Sequence, residues 1–183
     1  DRRTGDKFWP AEIKPIIFHS MELAVACGII VVEAAGNGRS GEEPQGNDLD
    51  DFAIWYGKNV LGRGQEGFRD SGAILVAAVS KNEDHGRIQS SNFGERIDCV
   101  AWGEEVFSSS LPTDQYDDLF GGTSSASAII AGAAISVQSI NIEKHGQPLS
   151  PSDMRRILSS HGTPSANTNG IMPDLKLIIT TVI

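Results

Sequence analysis

Cysteine is scarce in this 183-residue chain, with only Cys27 and Cys99. Each lies in an apolar stretch and reads as a buried free thiol; spacing alone leaves one disulfide open but excludes a CxxC metal site. Cations are also few. Fifteen Lys and Arg face twenty-four Asp and Glu, for a formal net charge of -9 and a pI of about 4.8. The basic residues are scattered, so nucleic acid is not an expected partner; an acidic surface suits solubility, a cation or a basic peptide. No apolar run approaches the length of a bilayer span, so no membrane association is expected. There is no internal repeat, no P-loop lysine and no GxGxxG pattern. An anion-binding α/β domain built on Gly121-Gly122 at a helix start therefore has little support.

What is present is glycine (20 residues) among a 39% hydrophobic complement, often beside apolar runs, as tight turns on a packed scaffold require. Asp1 to Pro15 reads as a polar surface arm. A helix is expected over 16–27, with Gly28 as its stop. The β-branched run Ile29-Ile30-Val31-Val32 reads as a strand buried on both faces, and Ala73 to Val79 and Ile97 to Val100 as two more. Glu105 to Ser109 is expected to form a short edge strand. The apolar stretch Ala128 to Ile140 reads as a central helix buried all round. Pro151 to Ser160 reads as a helix capped by Ser150, and 174–183 as a last helix or strand. Residues 39–69, rich in Gly, Pro, Asn, Asp and Glu, read as a long loop insertion. Within it, Asn47-Asp48-Leu49-Asp50-Asp51 offers oxygen ligands without the full calcium-loop pattern; a solvated acidic loop is the simpler reading, and no cofactor is otherwise expected. Continuous apolar strands alternating with helices predict an α/β layer fold with a mostly parallel sheet, whose sites lie at the strands' C-terminal ends.

Two segments carry chemistry. Asn37 follows a strand within Ala34-Ala35-Gly36-Asn37-Gly38 and offers a side-chain amide. Ser124 follows Gly121-Gly122-Thr123 at the start of a helix, where free N–H groups favour developing negative charge. A serine nucleophile needs donors of this kind, and it also needs a base. Each segment alone also fits a simple turn or cap, with Asn37 in a left-handed conformation.

Together and in this order they resemble the subtilisin family. Gly122-Thr123-Ser124-Ser125-Ala126-Ser127 with Ala131-Gly132 is similar to its nucleophile signature. Ile30 to Asn37 resembles its strand ending in the oxyanion asparagine. Ser71 to Val79 resembles the strand that follows, and Ser90-Ser91-Asn92-Phe93-Gly94 to Ala101-Trp102-Gly103 resembles a further segment. The likeness runs from about Ile16 to Ser160. It implies a three-layer subtilisin-like fold, of which residues 1–183 form a single partial domain, the C-terminal portion. It implies a serine endopeptidase with Ser124 as nucleophile and Asn37 as oxyanion donor. Ala34, Ala35, Gly36, Gly122 and Thr123 would then bind a peptide substrate. The chain departs from the pattern at Ala128 and Trp102, where the family has proline. In the family, the catalytic Asp and His precede the nucleophile, and this chain has no room for them. His161-Gly162-Thr163 lacks the context of the family's histidine, and His19, His85 and His145 are no better placed. The expected partner is thus the N-terminal part of the same domain. Without it, apolar surface should stay uncovered and the fragment, inactive alone, should be prone to self-association as a homo-oligomer. A non-catalytic peptide-binding scaffold of the same fold is the alternative. Residence outside the cytoplasm follows only from the likeness.

Overall fold

The structure is a computed structural model and describes residues 7–39, 45–52, 54–55, 57–111 and 114–183, with backbone alone at 7, 52, 54 and 55. In chain order the elements are β1 (Lys7–Phe8), a 3-10 turn (Ala11–Ile13), α1 (Pro15–Ala26), β2 (Val32–Ala34), β3 (Gly38–Arg39), α2 (Leu49–Phe52), β4 (Ile54–Trp55) and β5 (Lys58–Asn59). They continue with β6 (Ile74–Val79), β7 (Cys99–Trp102), β8 (Val106–Ser110), β9 (Gln115–Phe120), α3 (Gly122–His145), α4 (Pro151–Leu158), β10 (Gly162–Pro164), β11 (Ile171–Pro173) and α5 (Leu175–Thr181).

Five strands form the main sheet in the order β10-β11-β7-β6-β2. β2, β6, β7 and β11 run parallel, and β10 returns antiparallel at one edge. β6 is buried at every position because both of its faces are covered. Ile74, Val76 and Ala78 meet Ala126, Ile130 and Val137 of α3, backed by Met154 and Leu158 of α4 and Ile178 of α5. Leu75, Ala77 and Val79 face Ile13, Leu49, Val60 and Leu61. Among the described residues, the second face is therefore covered largely by Ile13 of the 3-10 turn, by Leu49 of α2 and by Val60 and Leu61.

Several expectations shift. The strand expected over Ile29 to Val32 begins instead at Val32, and Ile29 is exposed. β2 pairs only with β6 among the described residues, which makes it an edge strand, and Val32 and Ala34 are only half-buried, so it is not covered on both faces. The arm is not merely a surface feature. Glu12 and Ile13 are buried, and β1 pairs with β3; residues 1–6 lie outside the described set. The 39–69 insertion carries α2 and the β4–β5 hairpin, with 40–44, 53 and 56 outside the described residues. The edge strand near Glu105 is half of the β8–β9 hairpin, whose Phe107 and Tyr116 rings stack at 5.5 Å. Cys27 is exposed at the end of α1, not buried; Cys99 is buried, burial pushes its thiol up, and both are free.

α3 runs for 24 residues, far beyond the predicted 128–140, and stops at Gly146 in the left-handed region (φ 69°). By length and composition it could cross a membrane, contrary to the expectation from apolar runs. Here it packs on β2, β6 and β7 as a core helix. It is not buried all round, since Ile135 and Ile142 are exposed. The α4 cap is as expected: Ser150 Oγ accepts from Asp153 N–H at 3.1 Å, with Pro151 in the first turn.

Opposite the strands' C-terminal ends lies an ion network with no local signature in the sequence. Arg96 is fully buried; Nε meets Glu12 at 2.9 Å, Nη1 meets Asp98 at 2.8 Å, and Nη2 donates to Ala73 O at 3.0 Å. Arg155 bridges Asp70 and Asp98 at 2.7 and 2.8 Å. Burial alone would raise Asp70, but the Arg155 hydrogen bond and the charges of Arg96 and Arg155 hold it down to about 2. Glu33, in β2, accepts from Glu12 N–H at 2.8 Å. Burial and then the Glu12 charge push its carboxyl up to about 7.

Candidate active site

Three chain reversals meet at the C-terminal end of the sheet: Ala35-Gly36-Asn37 after β2, Gly103 after β7, and Gly121-Gly122 before α3. Gly103 N–H donates to Val79 O at 2.9 Å, and Gly122 N–H donates to Gly103 O at 2.7 Å. The start of α3 is thereby sewn to the sheet. Ser125, fully buried, adds a hydroxyl bond to Trp102 O at 3.0 Å.

Thr123 joins α3 to the β2 turn across 86 residues of sequence. Its N–H and its hydroxyl both donate to Asn37 Oδ1, each at 2.9 Å, and its Oγ1 accepts from Gly36 N–H at 3.1 Å. Two donors at one atom identify that atom as the oxygen of the Asn37 amide. The amino group Nδ2 is therefore the donor left over, with no partner among the described residues. The turn depends on glycine at Gly36. It holds φ +89°, and a Cβ there would lie 2.2 Å from Phe8 O. Asn37 itself is not left-handed; its glycine neighbours Gly36 and Gly38 take the positive φ.

The first N–H groups of an α-helix lack intrahelical acceptors. Here Gly122 N–H is taken by Gly103 O and Thr123 N–H by Asn37 Oδ1. Ser124 N–H has no partner among the described residues. Ser124 is exposed, while Thr123 and Ser125 on either side are buried. Its hydroxyl makes no hydrogen bond among the described residues. A solvent-facing hydroxyl thus stands at the positive end of a helix dipole, beside one backbone N–H and one carboxamide with capacity to spare.

The other residues singled out in the sequence fall as follows. Ala34 and Gly36 are half-buried, whereas Ala35 packs in the core beside Leu75 and Ala77, its N–H donating to Val76 O at 2.9 Å. Thr123 is 1% exposed, so its side chain serves the turn. None of the four histidines hydrogen-bonds Ser124. His19 meets Glu22 at 3.2 Å, His161 meets Ile157 O at 3.0 Å, His85 Nδ1 is buried without a partner among the described residues, and His145 ends α3. In the acidic loop, Asn47 donates to Asn92 and Asp50 accepts from Glu95 N–H. Among the described residues no three His, Cys, Asp or Glu side chains converge as a metal set. Sequence reasoning gave Asn92 no individual role. It is fully buried and donates to Ala35 O at 2.6 Å, and its only signal was its place in the Ser90 to Gly94 motif.

Residues 3–179 match the model of the subtilase family. Subtilisin DY from Bacillus licheniformis is 34% identical over 145 residues, covering 79% of this chain and 43% of the relative. A protease from Pseudoalteromonas arctica superposes with a TM-score of 0.63 at 20% identity, covering 91% of this chain and 46% of the other. The PatG macrocyclase, solved with a peptide, gives 0.58 at 15% identity over 91% of this chain and 47% of its own. This chain thus spans less than half the length of these relatives. By its sequence match over nearly its whole length, the chain belongs to the subtilase family.

Proposed function

We propose that this chain supplies the nucleophile and the oxyanion hole of a serine endopeptidase, and that the catalytic His and Asp come from polypeptide outside these 183 residues. The observation that carries the reading is the double donation from Thr123 to Asn37 Oδ1, which leaves Asn37 Nδ2, like Ser124 N–H, a donor without a partner among the described residues. In the proposed reaction Ser124 Oγ attacks the scissile carbonyl carbon and gives its proton to the external base. The carbonyl oxygen becomes an oxyanion received by those two donors. Collapse breaks the C–N bond, the proton passes to the leaving amine, and water then hydrolyses the Ser124 ester. Ala34, the Gly36 backbone and the Gly122 turn border the approaching peptide. No cofactor enters this chemistry.

Two features support docking of a base-bearing N-terminal part. β2 has an unpaired edge among the described residues. Beside it a cavity of about 300 Å³ is lined by Ile30, Val32, Ala131, Ala134 and Ile135. On α1, Ile16 and Leu23 are also exposed. A second copy of the chain is the competing occupant of this surface, and light scattering separates the two. The test of function is fluorophosphonate labelling with peptide mapping, run on the chain alone and with the preceding part of the domain. Labelling at Ser124 only in the assembly, lost in Ser124→Ala, is the expected result. Labelling of the chain alone would overturn the external base. Absence in both would leave a peptide-binding scaffold without catalysis.

A further inference from the structure

Asn92 lies in the loop between β6 and β7, with its side chain fully buried beneath the turn that presents Asn37. Every polar group it has is engaged. Nδ2 donates to Ala35 O at 2.6 Å and to Phe8 O at 2.8 Å. Oδ1 accepts from Asn47 N–H at 2.7 Å and from Asn47 Nδ2 at 3.0 Å. Its backbone N–H donates to Gly36 O at 3.0 Å, and its backbone oxygen accepts from the Ser91 hydroxyl at 3.0 Å.

The consequence lies in the two carbonyls it holds. Ala35 and Gly36 are consecutive and immediately precede Asn37, and both of their oxygens turn toward one residue. In an extended strand successive carbonyls point to opposite sides. Asn92 therefore imposes a local reversal, and the positive φ of Gly36 is the backbone response. From the other side, the Gly36 N–H is held by Thr123 Oγ1. The Gly36 peptide groups are thus clamped between Asn92 and α3. The donor to Phe8 O ties in β1, whose carbonyl lies so close to Gly36 that no Cβ would fit.

We propose that Asn92 is a positioning residue of the oxyanion hole: by holding the carbonyls of Ala35 and Gly36 it fixes where Asn37 Nδ2 stands relative to Ser124. The proposal rests on the peptidase reading above. Asn92 touches no substrate in this scheme and acts only through Asn37. A loss of a few tenths of an ångström at that amide weakens oxyanion stabilisation but leaves peptide binding nearly unchanged.

The experiment is a double-mutant cycle in the assembled peptidase domain, this chain with its base-bearing part. The second-order rate constant for fluorophosphonate labelling is measured beside the affinity for a non-reactive product peptide. Asn92→Asp keeps the acceptor toward Asn47 but places a second acceptor against the carbonyls of Ala35 and Phe8. It should slow labelling by about 10- to 100-fold with product affinity within about 3-fold. In an Asn37→Ala background the same change should alter labelling by no more than about 3-fold, because the residue it acts through is gone. Equal losses in both backgrounds, or losses that follow product affinity, would overturn the proposal in favour of a plain structural role. If Asn92→Asp fails to fold, Asn47→Ala removes one donor to Asn92 Oδ1 from a distance. It should slow labelling by about 3- to 10-fold in the wild-type background only, and no slowing would overturn the proposal. A wild-type assembly that is not labelled would remove the peptidase reading itself. A labelled wild type with indifferent Asn92 and Asn47 variants would remove only the role of Asn92.

Discussion

Replacing Thr123 with Val tests whether the Asn37 amide is aimed by α3. Valine keeps the branched shape at a position that is 1% exposed, so the perturbation is confined to one hydroxyl. That hydroxyl makes two bonds, accepting from Gly36 N–H at 3.1 Å and donating to Asn37 Oδ1 at 2.9 Å. Its loss strands a partly buried N–H, which costs about 1–3 kcal/mol of stability. Asn37 Oδ1 keeps the Thr123 N–H, so the carboxamide is loosened but not released. Losing an oxyanion asparagine outright costs about 10²–10³ in turnover, a figure measured on a subtilisin and so an upper bound here. With half of the clamp intact, the expected slowing of fluorophosphonate labelling in the assembled domain is about 10-fold. In the isolated chain, hydrogen exchange should show the Gly36 amide losing protection while amides of β6 keep theirs. Ser125→Ala is the control. It cuts the bond to Trp102 O that anchors the same helix turn, but it does not touch Asn37. The reasoning fails if Thr123→Val labels at the wild-type rate while Asn37→Ala is slow, or if Ser125→Ala slows labelling equally.

Two further predictions concern the buried charges. Glu33 has its carboxyl raised from 4.5 to about 7, so the folded state holds its proton more tightly than the unfolded chain; the stabilisation is full below about 4.5 and is lost as pH rises through about 7. Glu33→Gln keeps the acceptor for Glu12 N–H and removes the titration, so urea midpoints should show the variant more stable by about 2–3 kcal/mol at pH 8 and little changed at pH 4; equal gains at both values would refute this. Arg96→Met should cost about 3–5 kcal/mol at pH 7, because Glu12 is left buried without its guanidinium while Asp98 keeps Arg155, and a loss under about 1 kcal/mol by denaturant titration would show the network to be dispensable.

The parallel sheet was legible because β6 is apolar at six consecutive positions, as only a strand covered on both faces can be. β2 misled for the same reason. Ile29 and Ile30 look like core, yet the strand starts at Val32 because α1 does not end until Ala26 and a tight turn must follow. Glu33, a charged residue in mid-strand, was the cue that the burial there is polar. In α3 the pattern gave the helix but not its sidedness. Small residues satisfy packing without marking a face, so Ala128 and Ala133 read alike although only Ala133 is buried. The candidate site was legible as two motifs because glycine flanks both, at Gly36 and at Gly122. What joins them was not. Thr123 and Asn92 act through hydrogen bonds spanning 86 and 57 residues of sequence, and no local pattern announces such a partner.

The division of labour within the site follows from what each part requires. Oxyanion stabilisation depends on donors fixed before the reaction begins, because a donor that must reorganise forfeits its advantage. Among the described residues, Asn37 is fixed by Thr123 from α3, by Asn92 from the β6–β7 loop through Ala35 and Gly36, and by Phe8 against the Gly36 turn. A general base has a looser requirement, since it must come within hydrogen-bond reach of Ser124 Oγ when substrate is bound. A base can therefore be delivered by docking another segment on β2 and α3, whereas an oxyanion hole assembled across that seam would inherit every error of the docking. Asn37 follows directly from β2, the seam strand itself, and it is exposed to such errors unless it is tied inward. Among the described residues its ties run to α3, to the β6–β7 loop and to β1, and none runs to the free edge. On that geometry a mutation that weakens docking should lower labelling by reducing the assembled fraction, without changing the rate constant of the assembled domain. A mutation of Thr123 or Asn92 should do the reverse.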